Sequence, residues 1–177
     1  MRLWTKAISI LSSAVLTACT QAPGAFVVRS AALEGGALIV RSDWHPGPQV
    51  LDALDHGIEL PFVVTLQARR PGSFGSEEST PIRRHMRLRY FPLSRQYQVR
   101  DVEDATTRNY IVRALAVQAM ENLRLTLPDT DTAGVTRWRV RIALDRDALP
   151  GALRLPTLLQ SAWHMDSETY TWRAQAG

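Results

Sequence analysis

One thiol and a large set of guanidinium groups are the side chains of this sequence that could do chemistry. Cys19 is the only cysteine and Lys6 the only lysine, so the basic residues after position 6 are arginines and four histidines. A lone cysteine can be a buried thiol, a metal ligand or a site of lipid attachment, but it cannot form an internal disulfide. Arginine binds carboxylates and phosphates through paired hydrogen bonds, although a GC-rich genome would also favour arginine codons.

Residues 1–18 have the features of a bacterial lipoprotein signal peptide. Arg2 and Lys6 give the segment a positive start, and an uncharged apolar run follows from Ala7 to Leu16. That run is too short for a membrane-spanning helix, which needs about 20 residues. The sequence Leu-Thr-Ala-Cys then resembles a lipobox, the motif at which the chain is cut before the cysteine and the thiol is acylated. We therefore expect Cys19 to be lipidated.

The lipid would set the location of the protein, because several acyl chains hold a protein to a bilayer almost irreversibly. Thr20 stands where an aspartate would favour retention at the inner membrane. We therefore expect the periplasmic face of the outer membrane, with residues 19–25 as a lipidated tether and residues 26–177 as a single periplasmic domain. The alternative is an ordinary signal peptide cut after Ala22 or Ala25, which would release the protein into the periplasm.

The composition fits a folded domain that relies on packing rather than on disulfides. Hydrophobic residues make up 45% of the chain, and no second cysteine is present. Two of the 21 basic residues lie in the signal peptide, which leaves 19 basic against 17 acidic residues. This near balance does not indicate nucleic-acid binding, so we expect no nucleic-acid partner.

Alternation of apolar and polar residues predicts antiparallel strands in much of the chain. Two β-rich runs flank Glu34-Gly35-Gly36, where paired glycines suit a tight hairpin. A second hairpin is predicted over residues 83–102, around a turn at Phe91–Ser94. Residues 137–144 repeat the alternation, with Trp138 on the apolar side. Tyr170 and Trp172 also share one face of a short strand, and we interpret these aromatic residues as core, with sugar stacking as the alternative.

Two other segments show the spacing of amphipathic helices. Residues 46–57 have prolines only at their start and end at a glycine, and a longer segment has apolar residues at Ile111, Leu115, Ala119 and Leu123. The polar, glycine-rich residues 71–81 predict an exposed loop. The expected fold class is therefore α+β, mostly antiparallel β in a twisted sheet or β-sandwich, with about two packed helices.

Several segments in this order resemble a proteobacterial envelope family known as domain of unknown function 4390. The most specific of them are "RLRYFPLSRQYQV", "VRIALDRDALP" and the closing "SAWHMDSETYTW", and the resemblance extends from about Val27 to Trp172. It implies a secreted or membrane-attached protein, whose gene often lies near that of a two-component sensor kinase. It implies no activity and no catalytic residues. The lipobox departs from the family pattern, in which a plain secretion signal is more common.

Patterns for catalysis or metal binding are weak in this sequence. Asp43 and Asp166 each lie two residues from a histidine, but such short patterns are common. The chain has no Gly-x-Ser-x-Gly motif and no glycine-rich phosphate loop, and Asp129-Thr130-Asp131 lacks the following glycine and glutamate of a calcium loop. The four histidines lie far apart, without the spacing of metal ligands: His45, His56, His85 and His164. We therefore expect no cofactor, no metal site and no catalytic residue.

A set of arginines forms the candidate binding site. Strand alternation places them on the solvent side of three predicted strands, opposite the apolar residues. If these strands belong to one sheet, the arginines form a positive patch that suits an anionic lipid, an anionic envelope polymer or an acidic protein. Pairing with nearby acids on a solvated surface is the alternative. The candidate residues are Arg87, Arg89, Arg100, Arg137, Arg139 and Arg141.

The function that these features favour is that of a non-catalytic periplasmic binding or accessory module. Its membrane contact would be the lipid on Cys19, and its ligand an anionic envelope component. Two alternatives remain at this point: an envelope hydrolase, and a modulator of a two-component sensor kinase.

The lipid attachment can be tested at Cys19. Replacing Cys19→Ala should leave the protein without acyl chains, so it should no longer fractionate with outer membranes. Metabolic labelling with palmitate measures the modification directly. Absence of label from the wild-type protein would contradict the lipoprotein assignment.

Overall fold

Two antiparallel β-sheets account for most of the fold. A computed structural model describes residues 24–72 and 75–174, so Cys19, the signal peptide and most of the tether lie outside the described residues. In chain order the elements are β1 (Phe26–Glu34), β2 (Ala37–Trp44), α1 (Pro48–Asp55), β3 (Leu60–Gly72), β4 (Gly75–Glu78), β5 (Ile82–Phe91), β6 (Gln96–Asp101), β7 (Thr107–Tyr110), α2 (Arg113–Glu121), β8 (Asn122–Thr126), β9 (Arg137–Leu144), α3 (Gly151–Leu159) and β10 (Tyr170–Arg173). A short 3-10 turn, Ser161–Trp163, follows α3.

The strand order confirms the predicted α+β class with antiparallel strands. The small sheet has the order β1-β2-β8, and the large sheet has the order β10-β9-β3-β5-β6-β7, with β4 paired to β3. The helices α1 and α2 were expected, but α3 was not. Among the described residues, none of the helices is both long and apolar enough to span a bilayer.

The first predicted hairpin is present, and its turn shows why the sequence needs two glycines. Glu34 pairs with Ala37, which leaves only Gly35 and Gly36 in the turn. Their φ angles are +56° and +74°, a region that side chains with a Cβ atom rarely enter. Two successive residues with positive φ give the turn that matches the twist of the adjoining strands.

The hydrophobic core lies between the two sheets. Phe26 of β1 stacks on Trp44 of β2, with ring centroids 4.7 Å apart. Both rings meet the edge of Phe62 on β3, at 5.4 Å and 5.3 Å. Trp138 is also buried, as predicted, while Tyr170 and Trp172 are half-buried against the core. The inner faces of the two sheets therefore share one apolar cluster.

The segment predicted as one long helix is instead a short helix followed by a strand. The helix α2 ends at Glu121, and Leu123 and Leu125 belong to β8, where they pair with Val40 and Leu38 of β2. Leu123 and Leu125 point into the core because they are two residues apart in a strand. The prediction was wrong because pairing with the edge of β2 buries these leucines and satisfies the backbone there.

The segment predicted as an exposed loop contains part of a hairpin. Residues Gly75–Glu78 form β4, which pairs with the end of β3 from Arg69 to Gly72. All four residues of β4 are exposed, as expected for this polar sequence. The extended backbone arises because β3 continues beyond the strand β5 and offers a free edge.

The buried and exposed sides of β5 and β6 can be tested with one pair of variants. Leu88 is fully buried opposite Val99, whereas Arg100 is exposed opposite Arg87. Replacing Leu88→Asp should destabilise the fold by more than about 4 kcal/mol, because it buries an unpaired carboxylate. Replacing Arg100→Ser should change stability by no more than about 0.5 kcal/mol. Chemical denaturation measures both, and equal losses would indicate that the strand faces are exchanged.

Candidate anion-binding face

The register of the large sheet brings the predicted arginine strands side by side. Thr65 of β3 lies opposite Arg141 of β9 on one edge and opposite Arg83 of β5 on the other. Residues that pair directly across antiparallel strands point to the same face of the sheet. The strands β5, β6 and β9 therefore contribute to one outer face, opposite the core.

All six predicted arginines lie on this face, together with three others. In the strand register, Arg87 lies directly opposite Arg100. Arg137 lies opposite Arg69 of β3 on one side and opposite Arg173 of β10 on the other. The six predicted arginines did not include Arg69, Arg83 or Arg173. We call this surface the arginine face; its arginines are Arg69, Arg83, Arg87, Arg89, Arg100, Arg137, Arg139, Arg141 and Arg173.

Some of these guanidinium groups already have partners. Arg87 donates a hydrogen bond of 2.8 Å to Glu59, and Arg141 donates one of 3.0 Å to Asp166. Arg139 pairs with Glu78 of β4. Arg89 has no acidic partner within the described chain, but its guanidinium lies 4.9 Å from the ring centroid of Phe91. The exposed pair of Arg139 and Glu78 stabilises the fold by less than about 1 kcal/mol, so an anionic ligand could replace Glu78 at little cost.

Other guanidinium groups of the face lack a partner. Within residues 24–72 and 75–174, the exposed side chains of Arg83, Arg100, Arg137 and Arg173 have no ion pair or hydrogen bond. The arginine face therefore carries more cations than its neighbouring acids neutralise. This excess distinguishes it from a surface on which every charge is paired.

A shallow groove crosses the arginine face at the row that contains Thr65. It has a volume of about 300 Å³, and Gln67, Arg83, Arg139 and Arg141 contribute to its lining. A second concavity of about 340 Å³ shares Thr65, Arg83 and Arg141 with it and extends towards His85 and Arg146. Guanidinium, hydroxyl and amide groups dominate the groove, so its chemistry suits carboxylates or phosphates.

Arg84 points in the opposite direction from its neighbours in sequence and connects the two sheets. It is 5% exposed and donates hydrogen bonds of 2.9 Å to both carboxylate oxygens of Asp101. It also lies 2.7 Å from Asp104 and donates to the carbonyl of Thr126 at the end of β8. The sequence analysis missed this residue, although Arg84 shares its strand face with the apolar Met86 and Leu88.

The charges around Arg84 stabilise one another. The hydrogen bond from Arg84 lowers the pKa of Asp104, more than burial raises it. Burial alone would raise the pKa of Glu103, but hydrogen bonds from the side chain and backbone of His85 outweigh it and lower that pKa. Asp104 and Glu103 are therefore ionised, and their carboxylates already bind Arg84 and His85. The cluster holds β5, β6 and β8 together rather than offering a free acid or base.

Asp43 and Asp166, which each lie two residues from a histidine in the sequence, bind arginine side chains rather than imidazole rings. Asp43 accepts a hydrogen bond of 2.6 Å from Arg29, and Asp166 accepts from both Arg141 and Arg146. In the described parts of the chain, no group of three or more acidic, histidine or cysteine residues could hold a metal ion. Asp43 and Asp166 are thus held in ion pairs with arginines.

The fold and this face define an α+β domain with two antiparallel sheets and an arginine-lined groove on one outer surface. The chain belongs to the family described as Domain of unknown function (DUF4390), which it matches over residues 29–173. This match confirms the resemblance found in the sequence. No curated protein and no solved structure matches the chain.

A tyrosine beneath the helices gives the fold a pH dependence that can be measured. Burial, together with a hydrogen bond to Asp55, raises the pKa of Tyr97 from 10.0 to about 12. A raised pKa stabilises the folded state below the unfolded pKa, and this contribution disappears as the pH rises from 10 towards 12. The free energy of unfolding should therefore fall over this range, and Tyr97→Phe should reduce the fall.

Spectroscopic titration of the tyrosines and denaturation at several alkaline pH values measure these two effects. Replacing Asp55→Asn should bring the titration of Tyr97 to lower pH, because it removes the charged acceptor. An alkaline stability profile that is identical in wild type and Tyr97→Phe would contradict the assignment.

Proposed function

We propose that this protein is an envelope lipoprotein whose domain acts as a non-catalytic periplasmic binding or accessory module, and that its arginine face binds an anionic envelope component. The row Arg141–Thr65–Arg83 is the observation that carries the proposal, because it joins cations from two distant parts of the sequence in one groove. The lipid on Cys19 would keep this surface in the periplasm.

The arrangement of donors supports an anionic ligand. Arg83 has no partner among the described residues, and Arg139 and Arg141 lie in the same groove, where Arg139 pairs with the exposed Glu78 and Arg141 with the half-buried Asp166. Each guanidinium can donate two parallel hydrogen bonds to a carboxylate or a phosphate. A ligand that carries several such groups could therefore contact two or three arginines at once, and this multiplicity favours polymers and lipids with clustered charges.

A binding role agrees better with the charged groups than the hydrolase alternative does. Asp166 is held by Arg141 and Arg146, and Glu103 is held by His85. A hydrolase needs an acid, base or nucleophile that is free to exchange a proton with its substrate. No described feature favours the sensor-kinase alternative specifically, although an acidic partner protein would use the same arginine face.

The proposal can be tested by removing the charge of the groove. A variant with Arg83→Ser, Arg139→Ser and Arg141→Ser should bind anions more weakly by on the order of a hundredfold, since each arginine near a charged surface contributes about 1 kcal/mol. Separate binding measurements with lipopolysaccharide, vesicles containing phosphatidylglycerol and peptidoglycan fragments distinguish phosphate from carboxylate ligands. Wild-type binding should weaken with salt, because exposed charges are screened over about 8 Å at physiological ionic strength.

A matched control removes three exposed arginines elsewhere. Arg29, Arg41 and Arg124 are exposed on strands of the small sheet. Replacing these three by serine changes the net charge equally but leaves the groove intact. Equal losses in both variants would indicate nonspecific charge attraction, and binding that is insensitive to the groove substitutions and to salt would contradict the proposal.

A further inference from the structure

Exposed apolar side chains are concentrated at one end of the molecule. Five large hydrophobic residues are exposed in the described chain, and three of them, Ile111, Val112 and Leu115, lie at or just before the start of α2. Their exposed fractions are 79%, 53% and 48%. The spacing of Ile111 and Leu115 predicted that they would be buried. The structure instead buries Ala116, Ala119 and Met120 on this helix.

A fourth exposed residue lies at the same end. Leu93 is fully exposed in the turn between β5 and β6. Tyr97, just after this turn, pairs with Tyr110, which comes just before Ile111. The turn and the start of α2 therefore lie side by side. We call Leu93, Ile111, Val112 and Leu115 the apolar end.

A groove with apolar walls adjoins these residues. Its volume is about 600 Å³, and it lies between Pro46 and Leu51 on one side and Val112 and Val117 on the other. Solvent-exposed apolar surface of this kind marks a contact with another protein, a ligand or a membrane. The position at which the described chain begins, beside this groove, favours a membrane as the partner.

The described chain begins beside the same groove. The indole nitrogen of Trp44, which lines the groove, donates a hydrogen bond of 3.0 Å to the carbonyl of Gly24. Cys19 precedes Gly24 by five residues, which span at most about 18 Å even when fully extended. An anchor at Cys19 thus keeps the groove and the apolar end within a short distance of the bilayer. This step rests on the lipid anchor proposed above.

From these observations we propose that the apolar end is a membrane-docking surface, which inserts Ile111, Val112 and Leu115 into the lipid interface next to the anchor. A short tether raises the local concentration of membrane at this surface, so even modest apolar contacts are occupied. Exposed arginines lie nearby at Arg95 and Arg108, where they can contact lipid phosphates. Apolar residues flanked by arginines are typical of surfaces that lie in a membrane interface.

The docking surface can be tested with a fluorescent probe on the full-length, lipidated protein. Acylation blocks Cys19, so Val112→Cys provides the one thiol for an environment-sensitive fluorophore. In vesicles of phosphatidylethanolamine and phosphatidylglycerol, this probe should be quenched by lipids with quenchers in their tails and shielded from an aqueous quencher. A control probe at Ala133→Cys should behave in the opposite way, because Ala133 contacts Arg70 at the far end of β3.

Variants at the same surface separate apolar insertion from mere proximity. Adding Ile111→Ser and Leu115→Ser should abolish quenching of the probe at position 112 by the lipid tails, whereas Ile111→Leu and Leu115→Met should preserve it. Equal exposure of the probes at positions 112 and 133 to the aqueous quencher would overturn the proposal. Shielding of position 112 from the aqueous quencher in Cys19→Ser protein, free of lipid and detergent, would also overturn it, since a second copy or another segment of the chain would then cover the surface.

The same samples report separately on the lipid anchor. If Cys19 itself accepts the fluorophore in the parent protein, it is not acylated, and the anchor proposal fails. The docking proposal is then decided with Cys19→Ser protein mixed with the same vesicles at high lipid concentration, by the difference in lipid-tail quenching between the probes at positions 112 and 133.

Discussion

The pairing of β3 with both β5 and β9 is the constraint on which the rest of the structure depends. Phe62, Val64 and Leu66 alternate along β3 towards the core, and each has a partner of the same orientation on both neighbouring strands. Because the period of a strand is two, a slip of one residue would place these side chains in water. Burial of one face therefore fixes the register, and the register assembles the arginine face on the other side without any direct contact between its members.

Much of this arrangement follows from the sequence because alternation is a local signal. The pattern around Leu88 and Val140 was sufficient to predict which residues of β5 and β9 are buried. It could not show that these strands share a neighbour, because nothing in the residues of β3 identifies its partners, which are distant in sequence. The groove at Thr65 thus depends on long-range pairing that no local pattern contains.

The same reasoning explains two of the features that the sequence analysis missed. Alternation along β5 predicts that the side chain at position 84 is buried. A buried arginine is stable there only because Asp101 and Asp104 lie beside it. Asp101 is the last residue of β6, and Asp104 lies in the loop that follows. Residues 122–126 combine leucines at a spacing that fits either a helix face or a strand face. The free edge of β2 decides in favour of the strand, and α2 consequently ends at Glu121.

The two proposed surfaces constrain each other through the direction of β5. This strand runs from Arg83 in the groove to Phe91 at the turn of the apolar end, a distance of up to about 27 Å at the usual rise per residue. With the apolar end on the membrane and β5 directed away from it, Arg89 lies close to the lipid headgroups, whereas Arg83 and Arg141 lie far beyond the screening length of about 8 Å. The headgroups of the anchoring leaflet would then be too distant to occupy the groove. A carboxylate or phosphate polymer, or an acidic protein, that extends into the periplasm is therefore a better ligand for the groove than the membrane to which the domain is attached.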